Sequence, residues 1–173
     1  AIVINSGIIN ATGGNNAAGI GSGPQGYCYS ITINGGTVTA TGGSDAAGIG
    51  SNSGGCGAIT INGGIVTATG GTNAAGIGSG HGGGFGEITI ANTVTSVTAT
   101  KGTSAYNSIG KGYESVTCGT ITIGGKEYLV WYDSAGWIYN GTAADELLHK
   151  NSLVYLKANA DDSGNYWTTY YSD

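Results

Sequence analysis

The sequence contains very few charged residues. Only 9% of its 173 residues are Asp, Glu, Lys or Arg, and arginine is absent. Proteins that bind nucleic acid need a cationic face and commonly use the arginine fork to hold phosphates. Because the formal net charge is −5, we do not expect a nucleic-acid partner.

Long apolar runs are also missing. A transmembrane helix needs about 18 or more consecutive apolar residues, and no such stretch occurs, so we expect no transmembrane segment. The chain starts on a strand-like run at Ala1, without the charged and apolar segments of a signal peptide. We therefore expect either a cleaved leader or an excised piece of a longer protein.

Proline and methionine are nearly absent, whereas glycine is abundant. The sequence has one proline, no methionine and 36 glycines, a bias typical of a repeat or fibrous design. Its hydrophobic content of 39% is too high for a disordered chain. The length fits one ordinary domain that can bury a continuous core.

An Ile-Thr-Ile type of run sets the period of the chain, since its copies begin 29, 28, 29 and 33 residues apart. A Val-Thr-Ala-Thr type of run and an Ala-Gly-Ile-Gly-Ser type of run follow it in each period. The copies lie at 2–4, 31–33, 59–61, 88–90 and 121–123, at 9–12, 38–41, 66–69 and 97–100, and at 18–22, 47–51, 75–79 and 108–111.

These runs alternate in polarity as strands with one buried face do, and glycine-rich turns separate them. A period this regular indicates the fold class. We predict an all-β protein, a parallel β-solenoid (β-helix) of about four coils of roughly 28–29 residues, with three short strands per coil. The predicted inward residues of one coil are Ile31, Ile33, Val38, Ala40 and Ile49, and the glycines after the third strand fit corners that need positive φ or close backbone approach.

The three cysteines support this register. Cys28, Cys56 and Cys118 each precede an Ile-Thr-Ile type of run by three residues, and Phe85 takes that place in the fourth coil. A metal or redox site would need further ligands, but no Cys-x-x-Cys or paired histidine is present. We expect core residues, with no metal and no cofactor. A Cys28 to Cys56 disulfide stays open, because stacked Cα atoms fall within disulfide range.

The repeat ends near Gly124, and residues 101–173 hold 12 of the 15 aromatic residues. A solenoid needs a cap, because an open coil exposes its core and a strand edge. We predict solenoid repeats over 1–123 and an aromatic-rich β cap over 124–173, packed on the last coil. The predicted cap elements are strands at 128–132, 137–139, 153–156 and 166–171 and one or two helical turns at 143–150.

The successive motifs Ile-Thr-Ile-Asn-Gly-Gly, Val-Thr-Ala-Thr-Gly-Gly, Ala-Ala-Gly-Ile-Gly-Ser and Cys-Gly-x-Ile-Thr-Ile resemble glycine-rich repeat regions in secreted and surface-attached proteins of gut bacteria, mainly Bacteroidetes and Firmicutes. The likeness covers nearly the whole chain. It implies an extracellular β-solenoid used in adhesion or surface architecture, and it carries over no catalytic or binding residue.

The sequence does not favour catalysis. Polysaccharide-degrading β-helices gather several carboxylates on one face. Asp45 and Glu87 are the only charged residues before Lys101, and they fall on different parts of different coils. The two histidines, His81 and His149, are isolated. We therefore predict that the protein is not an enzyme.

Threonines form a predicted two-column array on the outward side of the second strand. This arrangement resembles the Thr-x-Thr ladders of ice-binding solenoids. The alternative is that threonine simply favours strands and suits any outward position. The array consists of Thr12, Thr39, Thr41, Thr67, Thr69, Thr98 and Thr100, with Asn10 in the first coil.

The aromatic residues of the predicted cap are the second candidate site. Exposed aromatic rings stack on sugars or partners, whereas buried rings would form the core of the cap. Both interpretations stay open, and strand alternation can leave one side available. The residues that we single out are Trp131, Tyr132, Trp137, Trp167 and Tyr170.

The first coil starts at Ile2 with no capping segment before it, so we expect an open strand edge there. Upstream sequence could cover this edge, or the C-terminal part of a neighbouring copy could dock on it and propagate a fibre. The sequence thus predicts a non-catalytic extracellular structural or adhesion module of a bacterial surface protein or fibre, which self-associates end to end or contacts neighbouring domains. The alternatives are a carbohydrate-binding module, with glycans as partners, and an ice-binding solenoid.

Overall fold

A computed structural model describes the backbone of residues 1–115, 117–128, 130–133, 136–139, 152–156 and 166–170, and the side chains of 1–115 and 117–125. All regular elements in this part of the chain are β-strands. It includes no helix with the length and apolarity needed to cross a membrane.

Three strands recur in each coil of the chain. Coil 1 contains β1 (Ile2–Ile4), β2 (Ile8–Thr12) and β3 (Ile20–Gly21), coil 2 contains β4 (Cys28–Ile33), β5 (Thr37–Thr41) and β6 (Ile49–Gly50), and coil 3 contains β7 (Cys56–Ile61), β8 (Ile65–Thr69) and β9 (Ile77–Gly78). In coil 4 the first strand position is divided between β10 (Gly84–Phe85) and β11 (Ile88–Ile90), which both pair with β7, and β12 (Ser96–Thr100) and β13 (Ile109–Gly110) follow. After it come β14 (Thr117–Cys118), β15 (Ile121–Ile123), β16 (Lys126–Tyr128), β17 (Val130–Asp133), β18 (Gly136–Tyr139), β19 (Ser152–Leu156) and β20 (Tyr166–Tyr170).

Corresponding strands of successive coils pair in parallel and build three sheets. The first sheet has the order β1-β4-β7-β11-β15-β16, with the short strands β10 and β14 beside it, the second has β2-β5-β8-β12-β19-β20, and the third has β3-β6-β9-β13. The predicted parallel β-solenoid of about four coils, with three strands per coil, is confirmed.

The register joins the same repeat position in every coil. Ile59 pairs with Ile31 in the coil before it and with Ile88 in the coil after it. The spacing after coil 3 is longer, but the second sheet keeps its register, as the pairing of Ser96 with Ile65 shows. The added segment before β12 contributes Val94, which is fully buried and extends the core.

The interior consists of stacked aliphatic ladders. The five residues predicted to point inward in coil 2 are all fully buried, which confirms the assignment of the strand faces. Burying one such aliphatic side chain contributes about 1.5–3 kcal/mol. Gly50 shows why the third strand needs glycine: its φ is +137°, and a Cβ there would lie 1.9 Å from the carbonyl oxygen of Gly78.

A short ladder of asparagine side chains runs along the corner after the first strand. Nδ2 of Asn34 donates to Oδ1 of Asn5 at 2.9 Å, and Nδ2 of Asn62 donates to Oδ1 of Asn34 at 2.9 Å. The ladder ends at coil 4, where Ala91 occupies the corresponding position. Thr93 instead donates its hydroxyl to the backbone oxygen of Asn62 at 2.5 Å. The corner is therefore tied to its neighbours by polar contacts as well as by the sheets.

The last parallel strands are paired with antiparallel strands. β16 runs antiparallel to β15, and β19 runs antiparallel to β12 and is followed by β20. The sequence-based strands at 137–139, 153–156 and 166–171 agree with β18, β19 and β20 within one residue. The strand expected at 128–132 overlaps the end of β16 and most of β17. Gly124 and Gly125, with φ of +57° and +79°, form the turn between β15 and β16. The helical turns expected at 143–150 lie outside the described residues.

Candidate functional site

The threonine columns lie side by side on the second sheet. Thr67 pairs with Thr39 and Thr98, and Thr69 pairs with Thr41 and Thr100, so each column passes through three successive coils. In coil 1 the same columns begin with Asn10 and Thr12. These side chains are exposed or half-buried, and the inward residues between them are buried in coils 2 to 4. The structure therefore brings the predicted threonines together on one face.

The neighbouring outward column of this sheet is mixed. It contains Ile8, Thr37, Ile65 and Ser96, of which Ile8 is 81% exposed and Ile65 42% exposed. Beyond coil 4, β19 places Val154 opposite Thr98. The regular hydroxyl array is thus two columns wide and ends at coil 4 in the backbone register.

The first sheet carries a threonine column that the sequence analysis did not single out. Thr32, Thr60, Thr89 and Thr122 stand in register at the middle of the Ile-Thr-Ile runs, and all are half-buried. The hydroxyl of Thr89 donates to the Glu87 carboxylate at 3.3 Å. Outward threonine therefore occurs on two sheets, as strand preference alone predicts.

The aromatic residues proposed as a platform lie on the strands after the coils. Trp131 and Tyr132 are in β17, Trp137 is in β18, and Trp167 and Tyr170 are in β20. The backbone register places Tyr132 opposite Trp137. Their side chains lie outside the described residues, so the choice between a sugar platform and a cap core stays a prediction.

The cysteine ladder has the predicted register. Cys56 pairs with Cys28 on one side and with Phe85 on the other, and Phe85 pairs in turn with Cys118. None of the three cysteines is in a disulfide. Burial raises the pKa of the Cys56 thiol, and the hydrogen bond and the charge interaction with Cys28 raise it further. Cys56 is therefore a neutral core thiol in this arrangement.

The expectation that His81 is isolated is wrong. Its Nε2 lies 3.2 Å from Oε2 of Glu114, and its ring stacks on Tyr113 with a centroid distance of 5.6 Å. The two partners lie one coil further along the chain, which the local sequence around His81 does not show. The other histidine, His149, lies outside the described residues.

Asp45, Glu87 and Lys101 have separate partners. Oδ1 of Asp45 accepts a hydrogen bond from Asn73 at 2.6 Å, whereas Glu87 accepts from Thr89. Burial lowers the pKa of Lys101, whose Nζ donates to the backbone oxygen of Ala105 at 2.9 Å. Within residues 1–115 and 117–125, no three His, Cys, Asp or Glu side chains are grouped to hold a metal ion.

Sequence reasoning missed a cleft at the corner between the third and first sheets. It has a volume of about 300 Å³ and lies between the loops 52–55 and 80–86. Tyr27 lines one side, while Cys56 and Phe85 contribute buried apolar surface. The signal that could have found it is the pair Tyr27 and Tyr29, because these are the only aromatic residues before Phe85.

The comparisons with known proteins agree with the fold. Residues 2–24, 31–55 and 59–81 match the family model of the beta helix repeat. No curated protein and no solved structure gives a significant match. The three matched segments start at or within the Ile-Thr-Ile type of run of coils 1, 2 and 3. This part of the chain is therefore similar to β-helix repeats, in agreement with the observed β-solenoid.

Proposed function

We propose that the chain is a non-catalytic, extracellular structural or adhesion module of a bacterial surface protein or fibre, and that it associates end to end through the open edge of coil 1. The resemblance to surface proteins of gut bacteria supports the location. The observation that carries the proposal is the state of β1, β2 and β3. Among the described strands, each of them pairs on one side only.

The backbone of β1 has its unused groups on the open side. The carbonyl of Ile4 accepts a hydrogen bond from the amide of Asn34 at 2.8 Å. Because backbone groups of adjacent strand residues point to opposite sides, the amide and carbonyl of Val3 point away from β4. The Val3 side chain is also 59% exposed.

The second sheet shows the same arrangement at β2. The carbonyl of Gly7 accepts from the amide of Thr37, and the amide of Gly13 donates to the carbonyl of Thr41, both at 2.8 Å. By the same alternation, the backbone groups of Ile8 and Asn10 point to the open side. An edge with unpaired backbone groups and exposed apolar side chains recruits another strand.

A second copy of the chain fits this edge. Pairing with the same edge of another copy would close a dimer, whereas pairing with the outer side of β16 or β20 would propagate a fibre. The edges of β12 and β15 cannot serve, since β19 and β16 already cover them.

The test uses a proline that blocks the edge without removing an internal bond. Val3→Pro deletes an amide that points away from β4, and proline is tolerated on such edges. Val3→Thr keeps the amide and is the matched control. We expect sedimentation velocity to show concentration-dependent association of the parent and of Val3→Thr, and monomers for Val3→Pro with an unchanged circular dichroism spectrum.

Strictly monomeric parent protein at high concentration would remove end-to-end association from the proposal. Association of Val3→Pro equal to that of the parent would place the contact elsewhere. The location has a separate test, in which an antibody against the chain is applied to intact and permeabilised source cells. Labelling that requires permeabilisation would contradict an extracellular module.

Ice binding is the second candidate, and the register of the two threonine columns favours it. Parallel strands place successive threonines of one column roughly 4.8 Å apart, on a sheet that continues through coils 1 to 4. The variant Thr67→Tyr disrupts both the column and its neighbour. Thr60→Tyr is the matched control, because Thr60 lies on the first sheet. We expect Thr67→Tyr alone to abolish thermal hysteresis, and a parent protein that does not shape ice ends this candidate.

Carbohydrate binding by the aromatic strands is the third candidate. The register of β17 with β18 brings Tyr132 opposite Trp137 and Trp131 opposite Ile138, which concentrates aromatic residues on one hairpin. Glycan-array binding should be lost in Trp131→Ala, Trp137→Ala or Trp167→Ala. Absence of binding by the parent contradicts this candidate, and so does binding by all three variants that equals binding by the parent.

A further inference from the structure

The cleft between the third and first sheets has the size of a small ligand site. Its volume is about 300 Å³, at the lower end of the range of about 300–1,000 Å³ for such sites. The lining comes from the corner loops of coils 1, 2 and 3 and from Thr117 after coil 4. Its described lining includes no residue of the threonine columns or of the aromatic strands.

Glycine forms much of the described lining of the cleft. Half of its ten described lining residues are glycines, and the lack of side chains opens a path to the buried residues below. A Cβ on Gly82 would meet no atom within 4 Å, which shows open space above that position. The floor includes Phe85 and Cys56, which are 3% and 2% exposed. A ligand in the cleft would thus reach apolar surface that the coils otherwise shield from water.

Tyr27 forms an aromatic wall of the cleft. It is 58% exposed, and its Cε2 lies 3.5 Å from the position of a Cβ on Gly55. Tyr29 packs edge-on against it, with a centroid distance of 5.4 Å and an interplanar angle of 81°. This contact restricts the Tyr27 ring before any ligand arrives, which reduces the ordering cost of binding.

The polar part of the lining is neutral. Ser53 and Thr117 line the cleft with exposed hydroxyl side chains, and the hydroxyl of Ser53 already accepts a contact from the amide of Gln25 at 3.5 Å, so its proton stays available to donate. No Asp, Glu, Lys, Arg or His is among the lining residues that the structure describes. An ionic ligand would lose its hydration here without gaining an opposite charge.

We infer that this cleft binds a neutral pyranose unit of a glycan, stacked on Tyr27. A pyranose ring offers an apolar face of C–H groups for the tyrosine ring and hydroxyls for Ser53, Thr117 and the glycine backbone. The inference goes beyond the proposed structural role and does not depend on the open edge of coil 1. Val3→Pro should therefore bind sugar as the parent does, so the two proposals can fail separately.

The test measures binding of neutral oligosaccharides to the intact chain on a glycan array, followed by calorimetric titration with the strongest neutral hit. Tyr27→Ala removes the wall, and we expect it to weaken binding by about tenfold or more. Tyr27→Phe keeps the ring and should bind within about twofold of the parent. Tyr113→Ala is the matched control, because Tyr113 is an exposed tyrosine on a corner loop outside the lining.

A second variant guards against a folding defect in Tyr27→Ala. Thr117→Trp places a large ring at the exposed side of the cleft and should abolish binding while the circular dichroism spectrum stays unchanged. The inference is overturned if the parent binds no neutral glycan, or if it binds only acidic ones. It is also overturned if Tyr27→Ala and Thr117→Trp bind normally, and loss of binding in Trp131→Ala would then assign the sugar site to the aromatic strands.

Discussion

Coils 1 and 3 have nearly the same sequence pattern but different environments. Ile61 in coil 3 is fully buried, whereas Ile4 at the same ladder position in coil 1 is 9% exposed. Ile59 is likewise fully buried, and its counterpart Ile2 is only partly buried. A coil of this solenoid therefore obtains its core from the coils above and below it, as expected for a nearly one-dimensional repeat protein.

The third sheet shows a similar difference between an inner coil and coil 4. Gly50 and Gly110 occupy one ladder position, both with positive φ. A Cβ on Gly50 would lie 1.9 Å from the carbonyl oxygen of Gly78, whereas a Cβ on Gly110 would lie 3.1 Å from the side-chain atom Cδ1 of Ile121. The close backbone approach is thus a property of stacked coils and is relaxed where the stack ends.

The sharpest way to break this comparison is to add one methyl group at each of these glycines. We expect Gly50→Ala to lose at least about 4 kcal/mol of unfolding free energy or to prevent folding, because two backbones would have to separate. Gly110→Ala should lose about 1–3 kcal/mol, since its backbone conformation is strained but the nearest atoms belong to side chains rather than to the backbone. Urea unfolding followed by circular dichroism measures both, and equal losses would contradict the stacking of the third sheet.

A smaller difference is expected when the ladder isoleucines are shortened. Ile61→Ala should cost about 3–4 kcal/mol, since the cavity is enclosed by coils on both sides. Ile4→Ala should cost about 1–2 kcal/mol, because water can reach the space that it leaves. The two unfolding midpoints in urea provide the measurement. The measurement is made on dilute protein, because the proposed self-association would cover the first coil at high concentration. A loss at Ile4 as large as that at Ile61 would then mean that the first coil is covered even in the dilute protein.

The smallest expected difference lies in the asparagine ladder. Asn34 makes two side-chain hydrogen bonds, one to Asn5 and one to Asn62, whereas Asn5 makes one within the ladder. We expect Asn34→Ala to cost about 1 kcal/mol and Asn5→Ala about 0.5 kcal/mol, since each exposed bond contributes modestly. Differential scanning calorimetry compares the two variants, and a cost at Asn5 above that at Asn34 would show that the ladder does not act along the stack.

The period made the parallel part of the fold predictable. Stacking forces each residue onto the residue one coil earlier, so the spacing alone yields the pairs Cys28 with Cys56 and Phe85 with Cys118. The same rule could have found the contact of His81 with Glu114, which lie 33 residues apart, as do the Ile-Thr-Ile runs at Ile88 and Ile121. We missed it because we judged His81 by its immediate neighbours.

The repeat predicts neither the antiparallel strands nor the cleft. β19 pairs with β12 across more than one coil length of sequence, and neither strand carries a motif that specifies the other. The cleft forms because the corner loops are unequal and because glycine has no side chain to fill the space between them. Its lining therefore has few functional groups that could mark it in the sequence. The roles of Trp131 and Trp167 stay predictions for a different reason, since strand alternation alone does not decide which face of a strand is covered.

The pairing of β19 with β12 also bears on how the length of such a protein can change. An inner coil pairs in parallel with the coil before it and with the coil after it. Duplicating one coil between β4 and β9 would therefore leave the strand pairs at both ends of the solenoid as they are. Each added coil would lengthen the molecule by roughly 4.8 Å. Because β19 pairs with β12, the last copy of the second strand, and β20 pairs with β19, added inner coils would increase the distance between the two ends of the solenoid and leave the strand pairs at those ends unchanged.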